Sequence, residues 1–252
     1  MKNNNSIFID KKFQLIVNLI VKSLEDYWFK EDNYIPSQSI LDCLVATILS
    51  QNTSDVNSSK AFIQLKLNYP NWIEFLNVKE EELAAIIKIA GLANQKAKAI
   101  LNAISVLYKK YNNFDLLELN SKSNEDLIIE FCNLKGIGVK TASCVLMFSL
   151  YRDVCPIDTH VFRITNRLGI ISEKNPDKAF YILDKILPKN SKTRFHLNLI
   201  MHGRNICKPQ KPFCGSCPVF IYCKWDHKSN FEDFKFDVLN VKNNFFLMDN
   251  LI

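Results

Sequence analysis

Four cysteines crowd into residues 207–223, "CKPQKPFCGSCPVFIYC", with the spacing C-x6-C-x2-C-x5-C. Nothing else in the chain restricts its folding as much, because thiols held that close must share a partner or stand exposed to oxidation. Disulfides would require an oxidising compartment. The opening stretch, "MKNNNSIFIDKKFQLIVNLIVKSLEDYW", argues against export. Asn18 and Lys22 interrupt its apolar run at helical spacing, no small-residue cleavage site follows, and no run reaches membrane-spanning length. The expected setting is intracellular, reducing and away from membranes, where clustered thiolates point to a metal. A structural zinc site ordinarily shows two close pairs of ligands. Here Cys214 and Cys217 form the single CxxC, flanked by Cys207 and Cys223. One loop bringing thiolates from several directions suits a cubane iron–sulfur cluster better, with zinc as the alternative. Cys43, Cys132, Cys144 and Cys155 lie singly among apolar neighbours and are expected to act as small buried hydrophobes.

Helical periodicity recurs along the chain and strand alternation is nearly missing. Leu41, Leu44, Val45, Ile48 and Leu49 share one helical face, as do Ile100, Leu101, Ile104, Leu107 and Tyr108. Ser123 followed by Asp126 reads as a capping box for "NEDLIIEFCNL", and Pro70, Gly91 and Gly169 punctuate helix ends. Further helices are expected near 13–28, 55–68, 79–89, 140–150, 159–168, 177–187 and 192–206. The fold class is therefore all-α. With 48% hydrophobic residues the chain can bury a substantial core. Its net charge of +6 is compatible with a nucleic-acid partner and equally with many other soluble proteins.

Between two expected helices lies "LKGIGVKTA", residues 134–142. Gly136 and Gly138 would supply backbone angles closed to other residues, with Ile137 plugging the turn into the core. The next helix would then offer free N–H groups to a phosphate. Such a helix-hairpin-helix grips a DNA backbone without reading its sequence. An ordinary glycine-containing turn between helices is the alternative.

With "LSQNTSD" (49–55), "IAGLANQKAKAI" (89–100), "LKGIGVKTA", "IDTHVFR" (157–163), "HGR" (202–204) and the four cysteines in this order, the chain resembles the endonuclease III family of helix-hairpin-helix DNA glycosylases. The likeness spans roughly residues 38–223. It implies a bilobed fold: a six-helix barrel over 38–150 containing the hairpin, an iron–sulfur lobe from 1–37 and 151–226, and a tail, 227–252, of undecided role. It also implies a [4Fe–4S] cluster on Cys207, Cys214, Cys217 and Cys223, pinning a loop whose Lys208 and Lys211 meet phosphates.

The resemblance carries the chemistry too. Lys140 and Asp158 match the family's catalytic lysine and aspartate. Lys140 would attack the sugar C1′ and form a Schiff base ahead of β-elimination, while Asp158 stabilises the positive sugar. Without the family match, an ordinary solvated lysine and a helix-capping aspartate are the commoner roles. The damaged nucleotide must leave the stack, and the family fills the gap with an apolar and a polar wedge. Leu92 matches the first and Asn52 the second, where the family's typical residue is glutamine, one methylene longer. Gln51 sits one residue earlier, on another helical face. The implied activity is base excision of oxidised pyrimidines from damaged or abasic double-stranded DNA by a monomeric glycosylase and AP lyase. Another lesion on the same scaffold, or a non-catalytic iron–sulfur DNA-binding protein, is the alternative.

Overall fold

Residues 10–28 and 39–237 are described by the computed structural model, and among them are ten α-helices and no strand. In chain order they are α1 (Lys11–Trp28), α2 (Ile40–Ser50), α3 (Asp55–Asn68), α4 (Glu80–Ile86), α5 (Ala93–Tyr111), α6 (Asn124–Cys132), α7 (Val139–Phe148), α8 (Thr159–Arg167), α9 (Pro176–Ile186) and α10 (Lys192–Asn205). The all-α expectation holds. The described residues divide into two compact units, 39–156 and 10–28 with 157–237. Of the expected lobes and tail, residues 1–9, 29–38 and 238–252 lie outside the described residues.

In the unit 39–156, α2 is apolar almost all round and packs against α3, α5 and α7. Ser39 starts it, its hydroxyl oxygen accepting the Asp42 N–H at 3.0 Å. Ser54 caps α3 in the same way. Ser123 caps α6 by accepting the Asp126 N–H at 3.1 Å, but the reciprocal half of the expected capping box does not form. The Ser123 hydroxyl instead donates to the Asp126 carboxylate at 2.6 Å. On α5, the buried stripe runs through Lys96, Ile100, Ala103, Leu107 and Tyr111. Cys43, Cys144 and Cys155 are buried as expected, whereas Cys132, in the last turn of α6, is only half-buried.

The connection between α6 and α7 is a tight hairpin. Leu134 and Ile137 are buried, so the turn is anchored in the core as expected. Asn102 on α5 accepts the Lys135 N–H at 3.0 Å. Gly136 has φ +84°, and a Cβ there would lie 3.0 Å from the Ala99 Cβ on α5. Both the left-handed backbone and the close approach require glycine. Gly138 corrects the sequence expectation. With φ −108° and ψ 178° it is extended backbone that any residue adopts, and a Cβ there meets nothing within 4 Å. The reversal is completed at Gly136, so Gly138 only leads the chain into α7 as its N-cap.

In the other unit, α1 turns Val17, Ile20, Val21 and Leu24 inward and packs on α10, which also packs on α8. Spacing of three and four residues between these side chains makes the apolar stripe of an amphipathic helix. The buried length of α10 carries polar His196, Asn198, His202 and Asn205 among its apolar residues.

Gly136→Ala is expected to lower stability by about 1–3 kcal/mol, through left-handed strain and overpacking against Ala99. Gly138→Ala should stay within about 0.5 kcal/mol of the parent. Urea unfolding of both variants checks the contrast.

Candidate functional site

In the unit 39–156, Gly136, Gly138 and Lys140 are all exposed on one turn and the helix start that follows it. No side chain caps the N-terminus of α7. Its first backbone N–H groups therefore have no partner within the helix. Lys140 is the second residue of α7, and its carbonyl accepts the Ser143 hydroxyl at 3.0 Å. The next residue, Thr141, ties this helix to the end of α2, its hydroxyl oxygen accepting from Gln51 Nε2 at 3.2 Å.

That tether distinguishes Gln51 from Asn52. Gln51 is half-buried and its side chain is engaged, whereas Asn52 is exposed with φ 51°. The second expected wedge residue, Leu92, has φ 49° and is 50% exposed. Asn tolerates the left-handed region, but a leucine there is strained by about 1–2 kcal/mol. Lys96, buried on α5, reaches both loops and was not singled out in the sequence. A lysine on an otherwise apolar helical stripe was the available signal.

In the other unit, Asp158 is the N-cap of α8, and its Oδ1 accepts the Val161 N–H at 2.7 Å. Its Oδ2 takes no hydrogen bond among the described residues. Asp158 therefore caps a helix and keeps one carboxylate oxygen uncommitted. One turn later on α8, Arg163 donates through Nε and Nη2 to the Cys207 carbonyl at 3.2 and 2.9 Å. Arg167, a further turn on, donates to the Lys208 carbonyl at 2.9 Å, the Pro209 carbonyl at 2.8 Å and Cys207 Sγ at 3.4 Å. Its guanidinium lies 3.9 Å from the centre of the Trp225 ring. These two arginines, spaced i, i+4, hold the start of the cysteine loop, a role that "VFRITNR" did not disclose. Gly203, in the "HGR" segment, makes room for His160: a Cβ there would sit 2.3 Å from His160 Nδ1.

The four loop cysteines occupy one neighbourhood. Burial, and then the charges of Cys207 and Cys223, push the Cys214 thiol up to about 11. Burial pushes Cys217 up to about 12, with the other three thiols adding to the rise. Thiols that oppose one another's ionisation in this way become thiolates together only against a cationic centre. Among the described residues, no three His, Cys, Asp or Glu side chains are grouped to hold a single metal ion. His202 is 1% exposed, and burial followed by the Arg163 charge pushes it down to about 3. Trp28 Nε1, a donor only, gives its hydrogen to His202 Nδ1 at 3.3 Å. The ring proton therefore sits on Nε2, which faces Cys217 Sγ at 3.5 Å. Lys208 lies half-buried with its ammonium 4.7 Å from the Phe213 ring centre, and Lys211 is exposed.

The part of the tail within the described residues packs on this loop. The Gly215 N–H donates to the Phe234 carbonyl at 3.1 Å, and the Phe236 N–H donates to Ser216 Oγ at 2.9 Å. Phe236 lies 5.8 Å from Phe213, and Trp225 stacks on Phe231 at 5.7 Å. Residues 231–236 thus run as a strap over Cys214–Cys217.

Residues 45–189 match the HhH-GPD superfamily of base excision DNA repair proteins. The chain belongs to this superfamily. Endonuclease III of Thermotoga maritima is 34% identical over 182 residues, covering 72% of this chain and 81% of that protein. A protein of Arabidopsis thaliana, whose name gives a DNA glycosylase but no lesion, is 34% identical over 197 residues, covering 74% of this chain and 67% of its own length. Among solved structures, a trapped endonuclease III–DNA covalent intermediate aligns with a TM-score of 0.73 at 26% identity, covering 86% of this chain and 98% of that one. The chain is an endonuclease III-like DNA glycosylase of the HhH-GPD superfamily.

In this HhH-GPD glycosylase the strap depends on Gly215, where a Cβ would lie 2.1 Å from the Glu232 carbonyl oxygen. Gly215→Ala is expected to lift the strap. Limited proteolysis should then cleave within 229–237 several-fold faster than in the parent, while cleavage elsewhere stays unchanged.

Proposed function

We propose that this glycosylase is bifunctional: it removes oxidised pyrimidines from double-stranded DNA and then nicks the strand as an AP lyase. The observation that carries the reading is Lys140, exposed in the first turn of α7 directly after a hairpin whose Gly138 faces open space. A DNA backbone can approach Gly136 and Gly138 closely, with a phosphate seated on the uncapped N–H groups of α7. Lys140 then stands within reach of the sugar at the damaged position.

Breaking the bond from C1′ to the base leaves positive charge on the sugar. Asp158 stabilises that charge through its uncommitted Oδ2. The Lys140 amine attacks C1′ through its lone pair, and the base departs with the bonding pair and one amine proton. The nitrogen lone pair then expels the ring oxygen O4′, which leaves with the C1′–O4′ pair and takes a proton, giving a Schiff base on the opened sugar. β-Elimination then cuts the strand on the 3′ side. Asn52 and Leu92 fill the gap left by the extruded nucleotide. A saturated pyrimidine stacks poorly, so extruding it costs less than the few kcal/mol needed for a normal base.

Cys207, Cys214, Cys217 and Cys223 would hold a [4Fe–4S] cluster, which supplies a rigid crosslink for the loop. An all-sulfur donor set suits it, as do N–H donors from Arg167 and His202 facing two of the sulfurs. In a cubane each thiolate binds a different iron, so the four sulfurs need not converge on one point as zinc requires. Lys208 and Lys211 on the fixed loop would meet phosphates, with the protein acting as a single copy.

Borohydride added during turnover on a thymine glycol duplex should crosslink the protein to DNA, and Lys140→Ala should abolish both crosslinking and nicking while retaining DNA binding. Crosslinking of Lys140→Ala at the parental rate would move the nucleophile elsewhere. Faster removal of an alkylated purine or a guanine-mispaired thymine than of thymine glycol would assign another lesion.

Anaerobically purified protein is expected to be brown and to contain iron. Cys217→Ser should lose iron and visible absorbance together, whereas stoichiometric zinc without iron in the parent would refute the cluster.

A further inference from the structure

We infer that Lys96 is a positioning residue that clamps the two exposed loops together, so that Asn52 and Leu92 enter the duplex as one rigid wedge. The inference rests on the DNA reading above for its purpose, but its geometry lies wholly within the unit 39–156.

Lys96 is 3% exposed. Its ammonium donates to the Leu49 carbonyl at 2.8 Å and to the Ala90 carbonyl at 2.8 Å. Among the described residues no carboxylate pairs with it, and burial pushes its ionisation down from the ordinary lysine value. Leu49 belongs to the last turn of α2, whose final carbonyls have no partner within the helix. Ala90 closes a short 3₁₀ turn just before Gly91 and Leu92. One charge therefore joins the segment leading to Asn52 with the segment leading to Leu92.

Stability alone does not account for a lysine here. A methionine would fill a similar space on this apolar stripe without the cost of desolvating a charge. A helix cap for α2 would need only one carbonyl, whereas Lys96 takes a second from a different loop. That second loop carries Leu92 in the left-handed region with half of its side chain exposed. Strain of this kind persists where the surroundings over-determine the backbone, and it concentrates at functional positions. A wedge must also be stiff, because loops that order only on insertion lose binding energy to that ordering.

The test compares two substrates under single turnover: a thymine glycol duplex, which needs the wedge, and a single-stranded abasic oligonucleotide, which does not. Lys96→Met is expected to slow duplex cutting about a hundredfold and single-strand cutting by less than about threefold. In a Leu92→Ala background, Lys96→Met should add less than about threefold to the duplex defect, since both act on one element. Equal losses on the two substrates, or no loss on the duplex, would overturn the inference. Hydrogen exchange read on peptides spanning 50–54 and 90–94 tests the clamp without any substrate. Faster exchange there in Lys96→Met, with α2 and α7 unchanged, supports it, and unchanged exchange refutes it. Failure of the lesion assignment would look different, as parental protein that leaves the thymine glycol duplex uncut. If Lys96→Met does not fold, Lys96→Gln takes its place with the same expected split. Failure of both to fold would mean that the lysine serves stability and not position.

Discussion

A helix whose side chains are nearly all buried must end where its last backbone groups find partners, in the protein or in water at the surface. That requirement organises the unit 39–156. α2 buries all of its residues from Ile40 to Leu49 except Asp42, so the side chains that close its ends are fixed by backbone chemistry. Ser39 accepts the Asp42 N–H, and Lys96 donates to the Leu49 carbonyl. Because Lys96 belongs to α5, closing the end of α2 sets where α5 begins. Gln51, just past the same end, fixes the start of α7 through Thr141. The exposed turns that carry Asn52, Leu92 and Lys140 are thus held by the polar contacts that make a buried helix tolerable.

Much of this was legible in the sequence because it is local. The period of apolar residues located the helices, Ser123 marked the start of α6, and Ile137 between two glycines identified a hairpin anchored in the core. The cysteine spacing placed four thiols in one loop. What escaped was determined by partners far away in the chain. Lys96 looks like any helix lysine until Leu49 is known to lie beside it. Arg163 and Arg167 become loop anchors only when residues 207–209 fold back onto α8. Gly203 and Gly215 are explained by a histidine 43 residues earlier and a carbonyl 17 residues later (203−160 and 232−215), not by any turn of their own. Gly138 shows the opposite error, since a paired-glycine motif suggested two special backbone conformations where only Gly136 needs one.

The environment of the cysteine loop follows a common physical rule. Buried sulfur carrying negative charge is best met by N–H groups fixed in direction, because mobile donors would have to be ordered at the same moment. Arg167 is fixed by two carbonyls and the Trp225 ring, and His202 by the indole of Trp28. In each case an aromatic side chain settles the orientation of the cationic or polar group that addresses a cysteine. The strap over Gly215 adds a cover of Phe234 and Phe236 on the outer side of the same loop.

The unit that carries this loop is discontinuous, and that has a consequence for its assembly on the ribosome. α1 leaves the exit tunnel early, yet the helix that covers its apolar face, α10, is made only after residues 39–156. At roughly 5–20 residues per second the wait is on the order of tens of seconds. During it, Val17, Ile20, Val21 and Leu24 lack the helix they pack on, while α2–α7 already have one another. The nascent chain thus carries α1 with its apolar stripe short of its partner until α10 emerges.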